Sequence, residues 1–413
     1  MSGPRTSGWR QLLLDLAVIG CTILLFALFL EGVTRLIFAH SRDFSMEMWK
    51  YAAQLKRSSA DPEAGFVHVP NRSAFLMGAA VSINSLGLRD REFAKEKPPG
   101  TCRVLMLGDS TTFGWGVPLE QTVAKILERK LNASSVPGCE RFEVLNGGVG
   151  NYNTVQEVAQ YRNRDRFFHP DLVILEYFIN DAEPVPRAET PGLMGHSYLL
   201  ALVVSRYDAL QRFSGARPAW KDYYASLYRD NPPGLQAAKR ALDQLADMTA
   251  QDGARLLVAL LPELHQIESS YPFVREHQII KDALSRKGVP AVELIDALRG
   301  HGPESSLWVT PQDPHPNGKA NDLIASHLLR SVLRWDRLRS ENGISLRNLA
   351  VSQSPQKTVA AARHRHGAGV RRTAVGGGEF RVGAVCLRPV LKTLPVRVSV
   401  PSPRNPCHQS RSC

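Results

Sequence analysis

The stretch VLMLGDS at residues 104–110 is an apolar run that ends in Gly108, Asp109 and Ser110. Four consecutive apolar residues followed by turn-forming residues are typical of a buried strand. Ligands bind at the carboxyl ends of the strands in a parallel α/β sheet. The pattern therefore predicts that Ser110 lies at the mouth of a site, where its hydroxyl is placed as a nucleophile. Taken alone, the tripeptide fits equally a turn in which Ser110 caps the next helix.

Short apolar runs alternate with helical patterns along most of the chain. Strands are predicted at residues 104–107, 142–145, 172–177, 255–261 and 289–295, and helices at 123–131, 154–168, 235–249 and 319–335. Strands that alternate with helices indicate an α/β fold, in which a parallel sheet is covered on both faces. We predict that this domain spans residues 98–340 and follows a lead-in segment at residues 31–97.

The alternation stops between two prolines, at residues 184–232. This insertion carries an apolar stretch at residues 199–204 and then Tyr223, Tyr224 and Tyr228. Two interpretations are open. The insertion is either a cap of one or two helices over a pocket or an ordinary helical insertion that packs its apolar face on the body of the domain.

The positive charge is concentrated at the C-terminal end. The 413-residue chain has a net charge of +12 and is 43% apolar, which is enough for a buried core. Residues 345–413 contain twelve basic residues and one acid, Glu379, so the rest of the chain is close to neutral. A basic groove for nucleic acid is therefore not expected in the folded part. Gly, Pro, Ser and Arg dominate the end of the chain, and we expect residues 341–413 to be a disordered basic tail.

The N-terminal region contains an apolar run at residues 12–30, interrupted only by Asp15 near its start. Nineteen helical residues at about 1.5 Å each roughly cover a hydrocarbon core of about 30 Å. With Arg5 and Arg10 in the flank at residues 1–11, the pattern predicts one transmembrane signal anchor. A cleaved signal peptide and a buried helix of a soluble protein are the alternatives. The anchor would leave the domain outside the cytoplasm.

Cys102 and Cys139 each stand just ahead of a predicted strand. If those strands are parallel neighbours, the two thiols face each other and can form a disulfide in an oxidising compartment. The alternative is two unrelated thiols. The chain has no Cys-x-x-Cys pair, so no metal site is predicted.

A serine nucleophile needs a base, and the base needs an acceptor that orients it. Residues 312–317, with the sequence QDPHPN, supply Asp313 and His315 directly ahead of the last predicted helix. We interpret this segment as a loop, in which the two prolines restrict the backbone around His315. In isolation, these residues would be a surface histidine and a turn-forming aspartate; together with Ser110 they form a candidate triad.

The oxyanion of an acyl-transfer reaction needs hydrogen-bond donors aimed at the developing charge. The candidates are the backbone N–H of Ser110, a backbone N–H in the loop at residues 146–153, and the side-chain amide of Asn180. Asn180 follows the strand predicted at residues 172–177, so it also lies at the carboxyl end of a strand. Its alternative role is a turn residue before Asp181.

In this order and spacing, the four segments resemble the SGNH or GDSL hydrolase superfamily of serine esterases and acyl-transferring enzymes. The resemblance extends over residues 84–333 and includes NSLGLR at residues 84–89 and LPE at residues 261–263. It implies a three-layer α/β/α fold of the flavodoxin-like kind.

The resemblance also implies roles for individual residues. Ser110 would be the nucleophile, His315 the general base and then the general acid, and Asp313 the orienting carboxylate. Asn180 would donate a hydrogen bond to the oxyanion, together with a backbone N–H at Gly150 or Asn151.

The sequence departs from the family pattern in three places. The glycine of the second block falls on Asn151, while Gly150 stands one place early, and asparagine adopts positive φ more readily than most residues. A glycine that often precedes the asparagine of the third block by two places is Phe178 here. The acid commonly stands three places before the histidine, where this chain has Gln312, so the role falls to Asp313.

Motifs for other chemistry are absent from the sequence. The chain has no Gly-x-Ser-x-Gly elbow, no His-Glu-x-x-His helix and no phosphate-binding loop, and Gly148 and Gly150 lack the later glycine of a dinucleotide fingerprint. No cofactor and no metal are therefore expected. His265, after the LPE segment, is the main rival of His315, and we interpret it as structural or as a residue lining the pocket.

These observations predict a serine esterase that forms an acyl-enzyme, with water or a sugar hydroxyl as the acceptor. A single N-terminal anchor would place the catalytic domain in the periplasm or outside the cell, attached to a bacterial inner membrane. Acyl esters of envelope carbohydrates or lipids are then the expected substrates. The alternative is a non-catalytic carbohydrate-binding or assembly module of the envelope with the same fold.

Overall fold

A computed structural model describes residues 6–186, 195–215 and 218–341 of the chain. The strands are β1 (Lys56–Ser58), β2 (Phe66–His68), β3 (Ser73–Leu76), β4 (Ala79–Ser82), β5 (Thr101–Leu107), β6 (Arg141–Asn146), β7 (Leu172–Tyr177), β8 (Arg255–Leu260), β9 (Ala291–Glu293), β10 (Trp308–Thr310) and β11 (Asp313–Pro316).

The helices are α1 (Thr6–Phe38), α2 (Phe44–Leu55), α3 (Ser110–Phe113), α4 (Val123–Asn132), α5 (Thr154–Asn163), α6 (Tyr198–Phe213), α7 (Trp220–Ser226), α8 (Pro233–Gln251), α9 (Val274–Ser285), α10 (Ile295–Leu298) and α11 (Gly318–Glu341). Short 3₁₀ turns cover Leu119–Gln121, Asp165–Phe168, Ile179–Ala182 and Glu304–Leu307.

A five-stranded parallel sheet forms the centre of the fold, with the strand order β6-β5-β7-β8-β9. Counted along the chain, this is the order 2-1-3-4-5 of flavodoxin-like sheets. The helices pack in two groups, α4 with α10 and α11, and α5 with α8 and α9. The predicted α/β class with a flavodoxin-like parallel sheet is confirmed. All five predicted strands exist, although β9 is shorter than its predicted range.

Apolar side chains from the strands and both groups of helices form one buried core. Every residue of β5 and β7 is buried, because helices cover both faces of the central strands. The strand order reverses between β5 and β7. Ligands bind at this topological switch point in open α/β sheets, beyond the carboxyl ends of the strands.

The predicted membrane span at residues 12–30 lies inside α1, a helix of 33 residues. Its segment Gly8–Phe38 is long and apolar enough to cross a membrane, judged by length and composition. None of its most apolar window is buried inside the protein, which does not fit the alternative of a buried core helix. A signal sequence satisfies the same criteria.

The lead-in segment packs on the central domain. In a second small core, Tyr51 of α2 and residues of β3 and β4 contact Phe113 and Trp115, which follow Ser110 in the chain. Because Tyr51, Phe113 and Trp115 are all less than 2% exposed, α2 is part of the structure around Ser110.

The insertion at residues 184–232 contributes two helices with different contacts. The first, α6, packs on α1 and α2, where Glu31 accepts hydrogen bonds from the backbone N–H groups of Tyr198 and Leu199. The second, α7, places Trp220 and Tyr224 in the wall of the cavity described below. Part of the insertion therefore lines a pocket, as one of the two interpretations requires, and part packs elsewhere.

Cys102 and Cys139 form a disulfide, with their Cα atoms 5.5 Å apart. Parallel pairing of β5 with β6 sets Cys102 opposite Phe142, three residues after Cys139. The expected basic tail at residues 341–413 lies, apart from its first residue, outside the described residues.

Candidate active site

Ser110 begins α3, and Gly108 and Asp109 connect it to the buried strand β5. Asp109 caps this helix, because its Oδ1 accepts hydrogen bonds from the backbone N–H of Thr111, at 2.8 Å, and from the Thr111 hydroxyl, at 2.9 Å. The turn after α3 is fixed by Arg89, which is 1% exposed and donates hydrogen bonds to the backbone carbonyls of Phe113, Gly114 and Val117. The arginine of the NSLGLR segment therefore holds the chain around Ser110.

His315 contacts Ser110, although the two residues are 205 positions apart in the sequence. Its Nε2 lies 2.8 Å from Ser110 Oγ, and its Nδ1 lies 2.5 Å from Asp313 Oδ1. The backbone N–H of His315 also donates to Asp313 Oδ1, at 3.1 Å. The structure thus brings together all three residues proposed for the triad, in the order hydroxyl, imidazole, carboxylate.

The segment that carries His315 is a short strand, whereas the sequence suggested a loop. It forms β11, which pairs with β10 in a two-stranded antiparallel ladder that has an irregular register. Two prolines are compatible with this strand because an edge position does not require their missing N–H groups. The strand fixes the backbone around His315 directly before α11.

Opposing effects set the protonation of this pair. Burial disfavours the charged imidazole, but the hydrogen bond and charge of Asp313 outweigh it, so the pKa of His315 is raised above its ordinary value. Burial also acts to raise the pKa of Asp313, but His315 and Trp115 lower it overall. Trp115 Nε1 donates to Asp313 Oδ2 at 3.0 Å, and Phe44 stacks on His315 with ring centroids 5.7 Å apart.

The proposed oxyanion donors have different surroundings. The N–H of Gly150 donates to Tyr51 Oη at 2.9 Å, so it is already engaged. Asn151, in the place of the family's glycine, adopts a positive φ of 64°. Among the described residues, the N–H of Asn151 has no hydrogen-bond acceptor. The Asn180 amide lies next to the site, where its Nδ2 donates to Asp109 Oδ2 at 3.3 Å.

Close packing holds the loop of residues 146–153 against the helix of Ser110. A side chain at Gly148 would place its Cβ 2.1 Å from the backbone nitrogen of Phe113, so only glycine fits there. The loop that carries Asn151 is therefore fixed relative to α3.

Buried acids accompany Asp109 near Ser110. Glu157, Glu176 and Asp181 are each at most 1% exposed. Burial raises the pKa of Glu157 and Asp181 well above the ordinary values, and that of Glu176 to about 7. A raised pKa favours the neutral form of each acid and so limits the negative charge near Asp109 and Ser110. The sequence analysis did not identify this cluster, since each acid follows or precedes an apolar run and has no motif of its own.

A cavity of about 450 Å³ opens beside His315. It is lined by Phe44, Thr111, Phe178, Trp220, Tyr224, residues 261–265 and residues 312–316. Most of these residues are aromatic, aliphatic or proline. His265 is one of them, in agreement with the pocket-lining interpretation, and it contacts Glu263, a partner that the sequence analysis did not name. Within the described residues, no group of three or more His, Cys, Asp and Glu side chains is arranged to hold a metal ion.

The chain is similar to several solved structures. A lipase/acylhydrolase from Enterococcus faecalis is 14% identical, with a TM-score of 0.35 over 56% of this chain and 95% of the other. An acetylxylan esterase from Geobacillus stearothermophilus is 15% identical, with a TM-score of 0.37 over 55% and 92%. A two-domain esterase active on acetylated mannans is 16% identical, with a TM-score of 0.37 over 58% and 50%.

None of the curated proteins compared with the chain matches it. The sequence model of the GDSL-like lipase/acylhydrolase family matches residues 106–323, which include Ser110, Asn180, His265 and His315. This match covers more than half of the chain. The protein therefore belongs to the GDSL-like lipase/acylhydrolase family.

Proposed function

We propose that the protein is a serine esterase in which Ser110, His315 and Asp313 act as a catalytic triad. Membership of the GDSL-like family supports hydrolysis of acyl esters. The observation that carries the proposal is the distance of 2.8 Å between Ser110 Oγ and His315 Nε2, with Asp313 bound to the other ring nitrogen. A triad is defined by this geometry and by the roles of its members.

The mechanism follows from these contacts. Ser110 Oγ attacks the ester carbonyl carbon while its proton passes to His315 Nε2. Asp313 stabilises the resulting imidazolium and holds the ring in orientation. When the tetrahedral intermediate collapses, the leaving alcohol takes the proton from His315 and the acyl group stays on Ser110. A second hydroxyl, from water or a sugar, then loses its proton to His315 and attacks the acyl carbon. When this second tetrahedral intermediate collapses, the bond between Ser110 Oγ and the acyl carbon breaks, and Oγ takes the proton back from His315.

The negative oxygen of the intermediate needs N–H groups that are not already used in other hydrogen bonds. We assign this role to the backbone N–H groups of Ser110 and Asn151 and to the Asn180 amide, which has two N–H hydrogens and donates only one of them to Asp109. Gly150 is the weaker of the two backbone candidates, because Tyr51 accepts its N–H. A single well-placed donor contributes roughly 10²-fold to 10³-fold to kcat.

We also propose that α1 holds the protein at a membrane, with the catalytic domain outside the cytoplasm. A second feature supports contact with a membrane. On α6, which packs on α1, the apolar side chains of Val203, Tyr207 and Leu210 are 56%, 61% and 61% exposed. Phe44 of the cavity is six residues beyond the end of α1, at most about 20 Å of extended chain. Ester substrates in a bacterial envelope, bearing carbohydrate or lipid, would be within reach.

Turnover of p-nitrophenyl acetate by the full chain in mild detergent tests the triad. Ser110→Ala should lower kcat/KM by roughly 10³-fold or more, since no other group replaces the nucleophile. Ser285→Ala, at an exposed position of α9, is the matched control and should retain the activity of the parent. A folded parent protein without esterase activity would reject the proposal and favour the non-catalytic envelope module.

A further inference from the structure

The wall of the cavity beside His315 contains a second pair of a carboxylate and a histidine. Glu263 and His265 follow β8 and are separated by one residue, as Asp313 and His315 are. His265 Nδ1 lies 2.5 Å from Glu263 Oε1, and the backbone N–H of His265 donates to Glu263 Oε2 at 2.9 Å. The proposed mechanism does not use this pair.

The second pair is built as firmly as the first. Glu263 is 5% exposed, and its backbone N–H donates to Tyr271 Oη at 3.0 Å. Burial raises the pKa of Glu263 even though His265 opposes the effect. The charge of Glu263 also acts to raise the pKa of His315, so the two pairs are close enough to interact electrostatically.

Packing leaves one edge of His265 available. Its ring lies between Trp220 and Trp308, with centroid distances of 5.1 and 4.6 Å. Glu263 engages Nδ1, yet the side chain of His265 remains 35% exposed. The edge that carries Nε2 is therefore the part of the ring left to meet a ligand. Since Nδ1 faces a carboxylate, the neutral ring carries its proton there and Nε2 accepts a hydrogen bond.

The lining of the cavity indicates the chemical class of that ligand. Of the described residues in its wall, none is a lysine or an arginine, and its two acids are each paired with a histidine. An anionic headgroup would find no fixed positive charge. The rings of Trp220 and Tyr224 provide flat apolar surfaces, and His265 provides a directed hydrogen bond. This combination suits a neutral polyhydroxylated ring, whose C–H faces are apolar and whose rim is polar.

We propose that Glu263 and His265 form a binding subsite for the alcohol part of the ester, and that His265 Nε2 accepts a hydrogen bond from a hydroxyl group of a neutral carbohydrate. This inference rests on the proposed esterase function, since it assigns the substrate class to the same cavity. His265 is then a specificity-determining residue, and Glu263 is a positioning residue that fixes the orientation of the ring.

Two acetate esters of similar size test the subsite with the full-length protein in detergent. Methyl 6-O-acetyl-glucopyranoside carries hydroxyl groups on its ring, and cyclohexylmethyl acetate does not. The parent should show a kcat/KM about 10-fold or more higher for the sugar ester, because a site built for a hydroxyl disfavours the analogue that lacks it. Equal kcat/KM values in the parent would overturn the inference without any variant.

His265→Phe keeps an aromatic ring between the two tryptophans but removes the acceptor. The ratio of kcat/KM between the two esters should fall by about 10-fold, mainly through a higher KM for the sugar ester. His265→Gln, which keeps a polar group, should recover part of the ratio, and Glu263→Gln should lower it by a smaller factor. His301→Phe, at an exposed position outside the cavity wall, is the control and should leave the ratio unchanged.

The outcomes separate this inference from the proposed function. Loss of the preference in His265→Phe, with partial recovery in His265→Gln, supports the subsite. Turnover of both esters that depends on Ser110 but has the same ratio in His265→Phe as in the parent contradicts only the subsite. A parent that hydrolyses neither ester nor p-nitrophenyl acetate contradicts the esterase function itself.

Discussion

Two segments of the cavity, Asp313-Pro-His315 and Glu263-Leu-His265, have the same local construction. In each, the acid accepts the backbone N–H of the histidine and lies 2.5 Å from Nδ1. They differ at Nε2, because His315 meets the hydroxyl of Ser110 at 2.8 Å while His265 lies between two tryptophans. A carboxylate and an imidazole are thus equally available in both segments, and the position of the serine distinguishes them.

The sheet topology explains why only one segment has a serine. Ser110 follows β5 and Asn180 follows β7, so both lie where the strand order reverses. His315 reaches this point from β11, whereas His265 follows β8, one strand further along the sheet. In the proposed mechanism, the position of the switch point therefore determines which histidine acts as the base, and the other pair is left for the proposed binding role.

We expect the greatest difference in activity between substitutions of the two histidines. His315→Ala should lower kcat/KM for p-nitrophenyl acetate by roughly 10³-fold or more, because Ser110 loses its base. His265→Ala should cost less than about 10-fold with the same substrate, whose alcohol part has no ring hydroxyls to bind. Steady-state kinetics and circular dichroism of both variants check this. Comparable losses in two folded variants would contradict the division of roles.

The next effect concerns the acid and the pH profile. Only neutral His315 accepts the proton, so kcat/KM should rise with pH through an apparent pKa above the ordinary value of about 6.5. In Asp313→Asn the imidazolium loses its partner and burial remains, so this pKa should fall below that of the parent. The rate should also drop, but by a smaller factor than in His315→Ala, because loss of the orienting acid leaves the base in place.

Glu263→Gln provides the comparison for this profile. It should lower the apparent pKa by less than Asp313→Asn does, since Glu263 acts on His315 only through its charge. If kcat/KM of Asp313→Asn rises over the same pH range as that of the parent, a group other than His315 controls the pH dependence.

We expect the smallest change in activity from substitution of Trp115, whose indole donates a hydrogen bond to Asp313. Trp115→Phe removes the donor to Asp313 Oδ2, so the carboxylate becomes more basic and the pKa of His315 should rise slightly. At neutral pH, a smaller fraction of His315 is then in the neutral form, so kcat/KM should fall by roughly a few fold. Trp9→Phe on the exposed surface of α1 is the control. An unchanged pH profile in Trp115→Phe would mean that this hydrogen bond does not tune the pair.

The strands of the central sheet could be predicted from the sequence because short local patterns of apolar residues mark them. The fully buried residues of β5 and β7 appear as continuous apolar runs, and Thr154 and Val123 begin helices close to where periodicity predicted them. The observed bounds of a strand differ from the predicted ones where pairing with a neighbouring strand decides them. In β9, only three residues pair with β8, although the predicted strand is longer.

The surroundings of the site were less predictable, because they depend on contacts between distant parts of the chain. Nothing near Tyr51 indicates that its hydroxyl accepts the N–H of Gly150, 99 residues later. Nor does the apolar pattern of α6 show that the helix packs on α1. The pairing of Glu263 with His265 did have a signal, since its spacing repeats that of Asp313 and His315.

Treatment of the full-length protein with a fluorophosphonate, followed by mass spectrometry of its peptides, identifies the nucleophile. We expect one stoichiometric adduct on Ser110, formed much more slowly in His315→Ala and absent in Ser110→Ala. An adduct on a different serine, or labelling of Ser110 at the same rate without His315, would contradict the proposed triad.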